Sequence, residues 1–265
     1  MEDLQKTIEH ERDSWNNIFE NKLNKRNKSR SNFSSFWDED YYKKITSFVE
    51  SLFNKYKYSS LLEAGSGSGR SSILLRGNID RTLLDISPAA LEYAKHIAQK
   101  FKVKDVKFVI GNIFEIPFQK ETFDFVWNTG VIEHYKPSAI KMILEEMMRV
   151  TKSDGIITFG VPNFYSGPTI KAWVLKFFPG PISGYRLGTE HFYKNRILAD
   201  LVINAAEGSG KNIEWLKIEY FGSPLPLESP RWMIKTIGRI IDILLPKNRF
   251  MIMFFCKFKR REIIE

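Results

Sequence analysis

The spacing of apolar residues changes near residue 58, and the change divides the chain. Before it, Leu4, Ile8, Trp15, Ile18 and Phe19 recur at helical intervals among Asn, Lys and Glu, which predicts a helix with a sparse apolar face. Lys22, Lys25, Arg26, Lys28 and Arg30 make a basic stretch that reads first as a solvated helix end. Phe33, Phe36, Trp37, Tyr41 and Tyr42 lead into a periodic helix through Ile45, Phe48, Val49 and Leu52. Residues 1–45 are predicted to form an N-terminal helical cap. From there on, short apolar runs alternate with helical periods. Residues 59–64, 81–85, 106–110, 123–127 and 155–161 read as strands. Ser87-Pro88 places an N-cap before a proline suited to the first helical position, ahead of Leu91, Ala94 and Ala98. Pro137 opens a helix with Ile140, Ile143, Leu144 and Met147 at i, i+3, i+4 and i+7. Strands alternating with helices predict an α/β domain with a parallel sheet.

Residues 162–193 interrupt this rhythm with Pro, Gly and aromatics, and are predicted to insert over the ligand edge of the sheet. Tyr165, Trp173, Tyr185 and Phe192 are its candidate substrate contacts. The alternation then resumes with a helix over 194–206, a strand over 213–221, an amphipathic helix over 232–245 and a strand over 250–258. The run FMIMFFC suits a strand covered on both faces. Residues 46–161 and 194–265 are expected to build one mostly parallel sheet of seven strands, ending in an antiparallel strand, with helices on both faces.

Composition narrows the picture by exclusion. A length of 265 residues suits one medium domain with additions. The single cysteine, Cys256, excludes an internal disulfide, a CxxC zinc site and chemistry built on three cysteines. The N-terminus, MEDLQKTIEHERDSW, carries no apolar h-region. The 232–245 segment is short for a bilayer and carries Lys235, Arg239 and Asp242 on one face. It reads first as a packed helix and second as an interfacial one. A soluble, cytoplasmic protein is the expectation. The net charge of +9 is compatible with nucleic acid or an anionic surface and selects neither.

The first strand closes in Glu63-Ala64-Gly65-Ser66-Gly67-Ser68-Gly69, and Asp85 ends the second strand. Glycines let the backbone approach a ligand that a Cβ would block. A terminal acid on the second strand can accept the hydroxyls of a ribose. The dinucleotide fingerprint G-x-G-x-x-G would need glycine at position 70, which is Arg70. A pyrophosphate would also be repelled by Glu63. An acid two residues before the first glycine suits a ligand with an ammonium and a sulfonium, as S-adenosylmethionine (SAM) has. Gly210-Lys211 lacks the earlier glycine and the following Ser/Thr of a P-loop.

With these residues the chain resembles the class I SAM-dependent methyltransferases, in particular the small-molecule branch that includes the quinone-biosynthesis type, with its Rossmann-like sheet. The resemblance rests on Glu63 to Gly69, Asp85, Gly111-Asn112-Ile113, the fourth strand through Asn128, Gly130-Val131-Ile132-Glu133-His134, and the turn from Val150 to Gly155. It covers residues 58–162. It implies SAM as cofactor and contacts from Glu63, Gly65, Ser66, Gly67, Gly69, Asp85, Ile86, Asn112, Ile113, Asn128 and Thr129. Tyr42 is expected to join them from the N-terminal cap, in competition with ordinary helix packing. Asn112 stands where the family often has Asp and can still accept a hydrogen bond from an adenine amine.

Methyl transfer asks for alignment, exclusion of water and, for a hydroxyl acceptor, a base. Of the four histidines, His10 and His96 fall on helix faces away from the predicted cleft. His134 follows the fourth strand, and His191 lies where the insertion returns to the core; both are candidate bases. Some quinone-type members hold a metal through Glu-x-x-Glu-His, but the first position here is Gly130, so no metal is expected. Cys256 lies in a buried-strand pattern, which argues against thiol-dependent methylation. The expected reaction is methyl transfer from SAM to a small molecule, foremost at oxygen, on a natural product, sugar or lipid-like acceptor. An RNA- or protein-directed enzyme is the rival, supported only by the basic clusters at the chain ends. A SAM-binding protein without catalysis and an enzyme docked on a membrane surface are further rivals. Oligomeric state is not legible.

Overall fold

A computed structural model describes residues 2–25, 33, 35–177 and 187–260. Seven strands form one sheet: β1 (Ser60–Ala64), β2 (Asp80–Asp85), β3 (Val106–Ile110), β4 (Phe123–Thr129), β5 (Thr151–Pro162), β6 (Ile213–Phe221) and β7 (Met251–Phe258). Their order is β3-β2-β1-β4-β5-β7-β6. β7 runs antiparallel to both neighbours, and the remaining pairs are parallel. The alternation of strands and helices is as expected, and this order with its antiparallel β7 is the Rossmann-like arrangement that the family resemblance implies.

The period of two along the strands builds a core on each face. Leu62, Val126, Ile157 and Phe254 pack with α5 (Pro137–Val150) and α7 (Asn195–Gly208). Leu61, Phe125, Trp127 and Phe255 pack with α2 (Phe36–Tyr56). Trp37 and Tyr41 belong to this second core, where the Trp37 indole donates to the Leu225 carbonyl at 3.0 Å. α3 (Arg70–Ile73) and α4 (Pro88–Phe101) complete the first half. Ser87 caps α4 as its position before Pro88 predicts. α1 (Glu2–Lys25) lies along α4, with Phe19 against Ala89 and Ala90. Asn16 Oδ1 accepts from Ser87 Oγ at 3.1 Å and from Ala89 N at 3.2 Å, which ties the two helices together.

Three segments differ from the sequence expectation. β5 begins at Thr151, opposite Phe123, and its register shifts before Ile156 meets Phe125. The irregularity holds Gly155, where a Cβ would lie 2.7 Å from the Asp124 carbonyl oxygen, so the turn-like sequence is a bulge inside a strand. Within 162–193 a helix, α6 (Gly167–Val174), is capped by Ser166, whose hydroxyl accepts from Thr169 N. The chain from Arg231 to Leu244 is helical, as α8 (Arg231–Met233), a π-helical turn (Ile234–Gly238) and α9 (Arg239–Leu244), but only Ile234 and Gly238 of it are buried. Ile234 joins the α2-side core, with Met233 and Ile241 partly buried against it, while Trp232, Ile237, Ile240, Ile243 and Leu244 are exposed, so the helix packs through one side and leaves apolar residues on the other. No described helix is long and apolar enough to cross a membrane. Cys256 is buried on β7, and burial pushes its thiol up to about 12.

Candidate active site

The C-terminal ends of β1, β2 and β4 converge on a cavity of about 230 Å³. Its floor is the glycine loop. Gly65, Gly67 and Gly69 take φ values of +74°, +52° and +59°, a region that L side chains rarely adopt. Gly65 N and Ser66 N donate to the Leu84 carbonyl at 2.8 and 2.9 Å, which locks the loop to β2. A Cβ on Gly69 would fall 2.3 Å from Leu83 Cδ1. Gly69 therefore serves the packing of the loop on β2, and it does not line the cavity.

Two buried acids face this loop. Asp85 Oδ2 accepts from Gly67 N at 2.7 Å and Oδ1 from Ser87 N at 2.8 Å. Burial raises its pKa, and these backbone donors oppose the rise. Glu63 accepts from Ser72 Oγ at 2.5 Å, and burial pushes its carboxyl up to about 8. No cation pairs with Glu63 among the described residues, so the site holds a carboxyl group that a bound cation would satisfy. Ile86, Asn112, Ile113 and Thr129 line the same cavity. Asn112 Oδ1 accepts from Phe114 N at 3.0 Å, which fixes the side chain at the rim. Tyr42 closes the near side, with the Arg70 guanidinium 5.4 Å from its ring centre. Burial pushes the Tyr42 hydroxyl up to about 12. Asn128, on the other hand, is fully buried away from the cavity, its Nδ2 on Met147 Sδ at 3.2 Å.

α1 supplies the opposite wall with Ile8, Glu11, Trp15 and Phe19. His134 sits beneath it, its ring edge-on to Trp15 with centroids 6.0 Å apart. Its Nδ1 is 2.7 Å from Thr189 Oγ1, and that hydroxyl donates to Glu11 Oε1 at 2.9 Å. A hydroxyl that gives its proton to Glu11 can only accept from the ring, so Nδ1 carries the hydrogen and Nε2 keeps its lone pair. Burial lowers the pKa of His134, against the opposing pull of Glu11 and Glu190. The neighbouring Glu133 is buried as well, and its carboxyl is pushed up to about 8.

Residues 56–189 match the family model of the methyltransferase domain. The chain belongs to this methyltransferase family. It is a SAM-dependent methyltransferase domain, and its cofactor is SAM. The chemistry of the cavity fits that cofactor: a cationic ligand meets Glu63 and Asp85, whereas a pyrophosphate would meet two acids. A malonyl-[acyl-carrier protein] O-methyltransferase of Herminiimonas arsenicoxydans is 30% identical over 102 residues, covering 37% of this chain and 35% of that one. The 2-methyl-6-phytyl-1,4-hydroquinone methyltransferase 1 of Oryza sativa is 31% identical over 121 residues, covering 44% and 34%. The chain thus spans between about a third and about half of the length of the curated relatives it matches. In fold it is similar to magnesium protoporphyrin IX methyltransferase from Synechocystis PCC 6803 with bound SAH, at TM-score 0.58 and 15% identity over 94% of this chain and 98% of that one.

The methyltransferase's remaining candidates are dispersed. His191 does not line the cofactor cavity; its backbone N–H donates to the Glu133 carbonyl at 2.7 Å, and the residue borders two neighbouring grooves. Tyr165 and Phe192 line one of these grooves. Trp173 projects from α6 beside Phe177 and lines none of these cavities. Tyr185 lies outside the described residues. Sequence reasoning missed Glu11, Trp15, Phe19, Arg70 and Thr189. One signal was available for Glu11: it stands on the apolar stripe of α1, between Ile8 and Trp15, where a solvated helix has no use for an acid.

Proposed function

We propose that this domain transfers a methyl group from SAM to an oxygen of a small molecule with an aromatic or apolar body, with His134 as general base. The observation that carries the reading is the Glu11–Thr189–His134 chain of hydrogen bonds, which turns a bare ring nitrogen into an acceptor beside the cofactor cavity. When bound, SAM supplies a methyl carbon on a sulfonium whose sulfur departs with the electron pair. Glu63 would hold the ammonium and Asp85 the ribose. His134 Nε2 would take the proton of an acceptor hydroxyl as its oxygen receives the methyl group and the sulfur keeps the carbon–sulfur electron pair. Glu11 and Thr189 then steady the imidazolium. Trp15, Phe19 and Ile8 keep water from this step.

The groove between Tyr165, Phe192, Tyr193 and Tyr220, which shares His191 with the groove bordering Glu11 and His134, supports an acceptor with an aromatic or apolar part. In this reading residues 1–45 and 162–193 choose the acceptor, while the sheet holds the cofactor. The test is a panel of phenols, aliphatic alcohols, carboxylates and amines with the full chain and SAM, read by product mass and SAH release. Methylated oxygen that disappears in His134→Gln is the expected result. Turnover confined to RNA, protein or nitrogen acceptors overturns the proposal.

A further inference from the structure

The outward face of the C-terminal helix is apolar. Trp232 is 62% exposed, Ile240 58%, Ile243 79% and Leu244 72%. Trp173 of α6 and Phe177, just after it, are also exposed. Three contacts tie α6 and the C-terminal helix to the same 224–228 segment. Gly167 N donates to the Pro224 carbonyl at 2.8 Å, Lys171 pairs with Glu228 at 2.7 Å, and Gly238 packs over Leu225. That segment belongs to the cofactor edge of the sheet. Met251, at the start of β7, pairs with Pro162 and Phe221, the last residues of β5 and β6. The 222–250 excursion therefore leaves and re-enters the sheet at the edge where β1, β2 and β4 end, and the chain into α6 leaves β5 at that same edge.

Charge selects the occupant. Residues 231–249 carry Arg231, Lys235, Arg239, Lys247 and Arg249 against one acid, Asp242, which is paired with Arg249 at 3.0 Å. Arg231, Lys235, Arg239 and Lys247 are all exposed. An apolar face with a tryptophan at its end and a basic flank is the form of a helix that lies in a bilayer interface. A second copy of the same surface would bring like charges together.

We propose that α6 and the α8–α9 helix form a docking surface for an anionic phospholipid bilayer, with the cofactor edge of the sheet turned toward the lipid. This inference does not depend on which acceptor atom is methylated. The full chain is floated with vesicles of phosphatidylcholine, with and without phosphatidylglycerol, at low and high salt. Binding to the phosphatidylglycerol vesicles that weakens with salt is the expected result. Ile240→Asp with Ile243→Asp lowers partition by about 100-fold. Arg239→Gln lowers it by about fivefold, and only on anionic vesicles. Calorimetry with SAH on the same variants keeps the wild-type affinity, which separates lost docking from lost fold and from a failure of the methyltransferase reading. No vesicle binding by a chain that binds SAH overturns the proposal. So does binding indifferent to both charge and these substitutions, or a dimer that Ile240→Asp with Ile243→Asp dissociates while the wild type ignores vesicles.

Discussion

Glu63 makes cofactor binding a proton-release reaction. Its carboxyl is buried, bonded by Ser72 and pushed up to about 8. At about pH 7 such a group is about nine-tenths protonated, and ionising it costs about 1.4 kcal/mol. An ammonium placed against it lowers the pKa by about 3 units, the upper end of what a close opposite charge does, which leaves it ionised at about pH 7. SAH keeps the ammonium and undergoes no reaction, so it serves as the probe. Calorimetry in buffers of different ionisation enthalpy is expected to show about 0.9 proton released per SAH at about pH 7. The Kd tightens about tenfold from about pH 6 to about pH 7, a range in which the ligand's own amine stays protonated. Glu63→Gln loses a charge-assisted bond of about 2 to 3 kcal/mol but is spared the ionisation cost. The net loss at about pH 7 is therefore only about 3- to 15-fold, and it grows as pH rises. A wild type that releases no proton, or a Glu63→Gln that keeps the wild-type pH slope, refutes the reasoning.

Three further outcomes are expected. His134→Gln lowers kcat by about 10²- to 10⁴-fold with little change in SAH affinity, and removes an acidic limb of kcat/KM whose midpoint lies below the ordinary histidine value of about 6.5. Urea unfolding tests Glu133, whose folded pKa of about 8 stands above its ordinary 4.5. The folded state binds the extra proton, so stability is full at low pH and falls through this interval by about 1.4 kcal/mol per pH unit; Glu133→Gln should be shallower by that slope, and an unchanged slope contradicts the burial argument. Gly69→Ala forces a Cβ to within 2.3 Å of Leu83 Cδ1 at a left-handed φ, so thermal melting should show a loss of about 2 to 4 kcal/mol, and SAH affinity should fall with it.

The alternation of period-two and helical segments was sufficient for the sheet, its helices and the place of the glycine loop, because each of those depends on neighbours along the chain. Glu63, the glycine spacing and Asp85 were legible for the same reason: a tight turn and two strand ends stand at fixed offsets. The rest depended on through-space pairing. Asn128 and Thr129 are adjacent on β4, yet one faces Met147 and the other the cavity, and no motif states which face a strand end shows. Glu11, His134 and Thr189 come from three distant segments and meet only because α1 crosses the cofactor edge and the chain after α6 returns over it. The C-terminal helix has an amphipathic sequence whichever way it is turned. Only the packing of Ile234 and Gly238 on Leu225 decided which of its apolar residues are covered and which look outward. Local spacing sets which elements form, since it reflects backbone geometry and the burial of one face. The crossing order and docking of those elements set which side chains share a site, and that is settled by tertiary contacts between residues far apart in sequence.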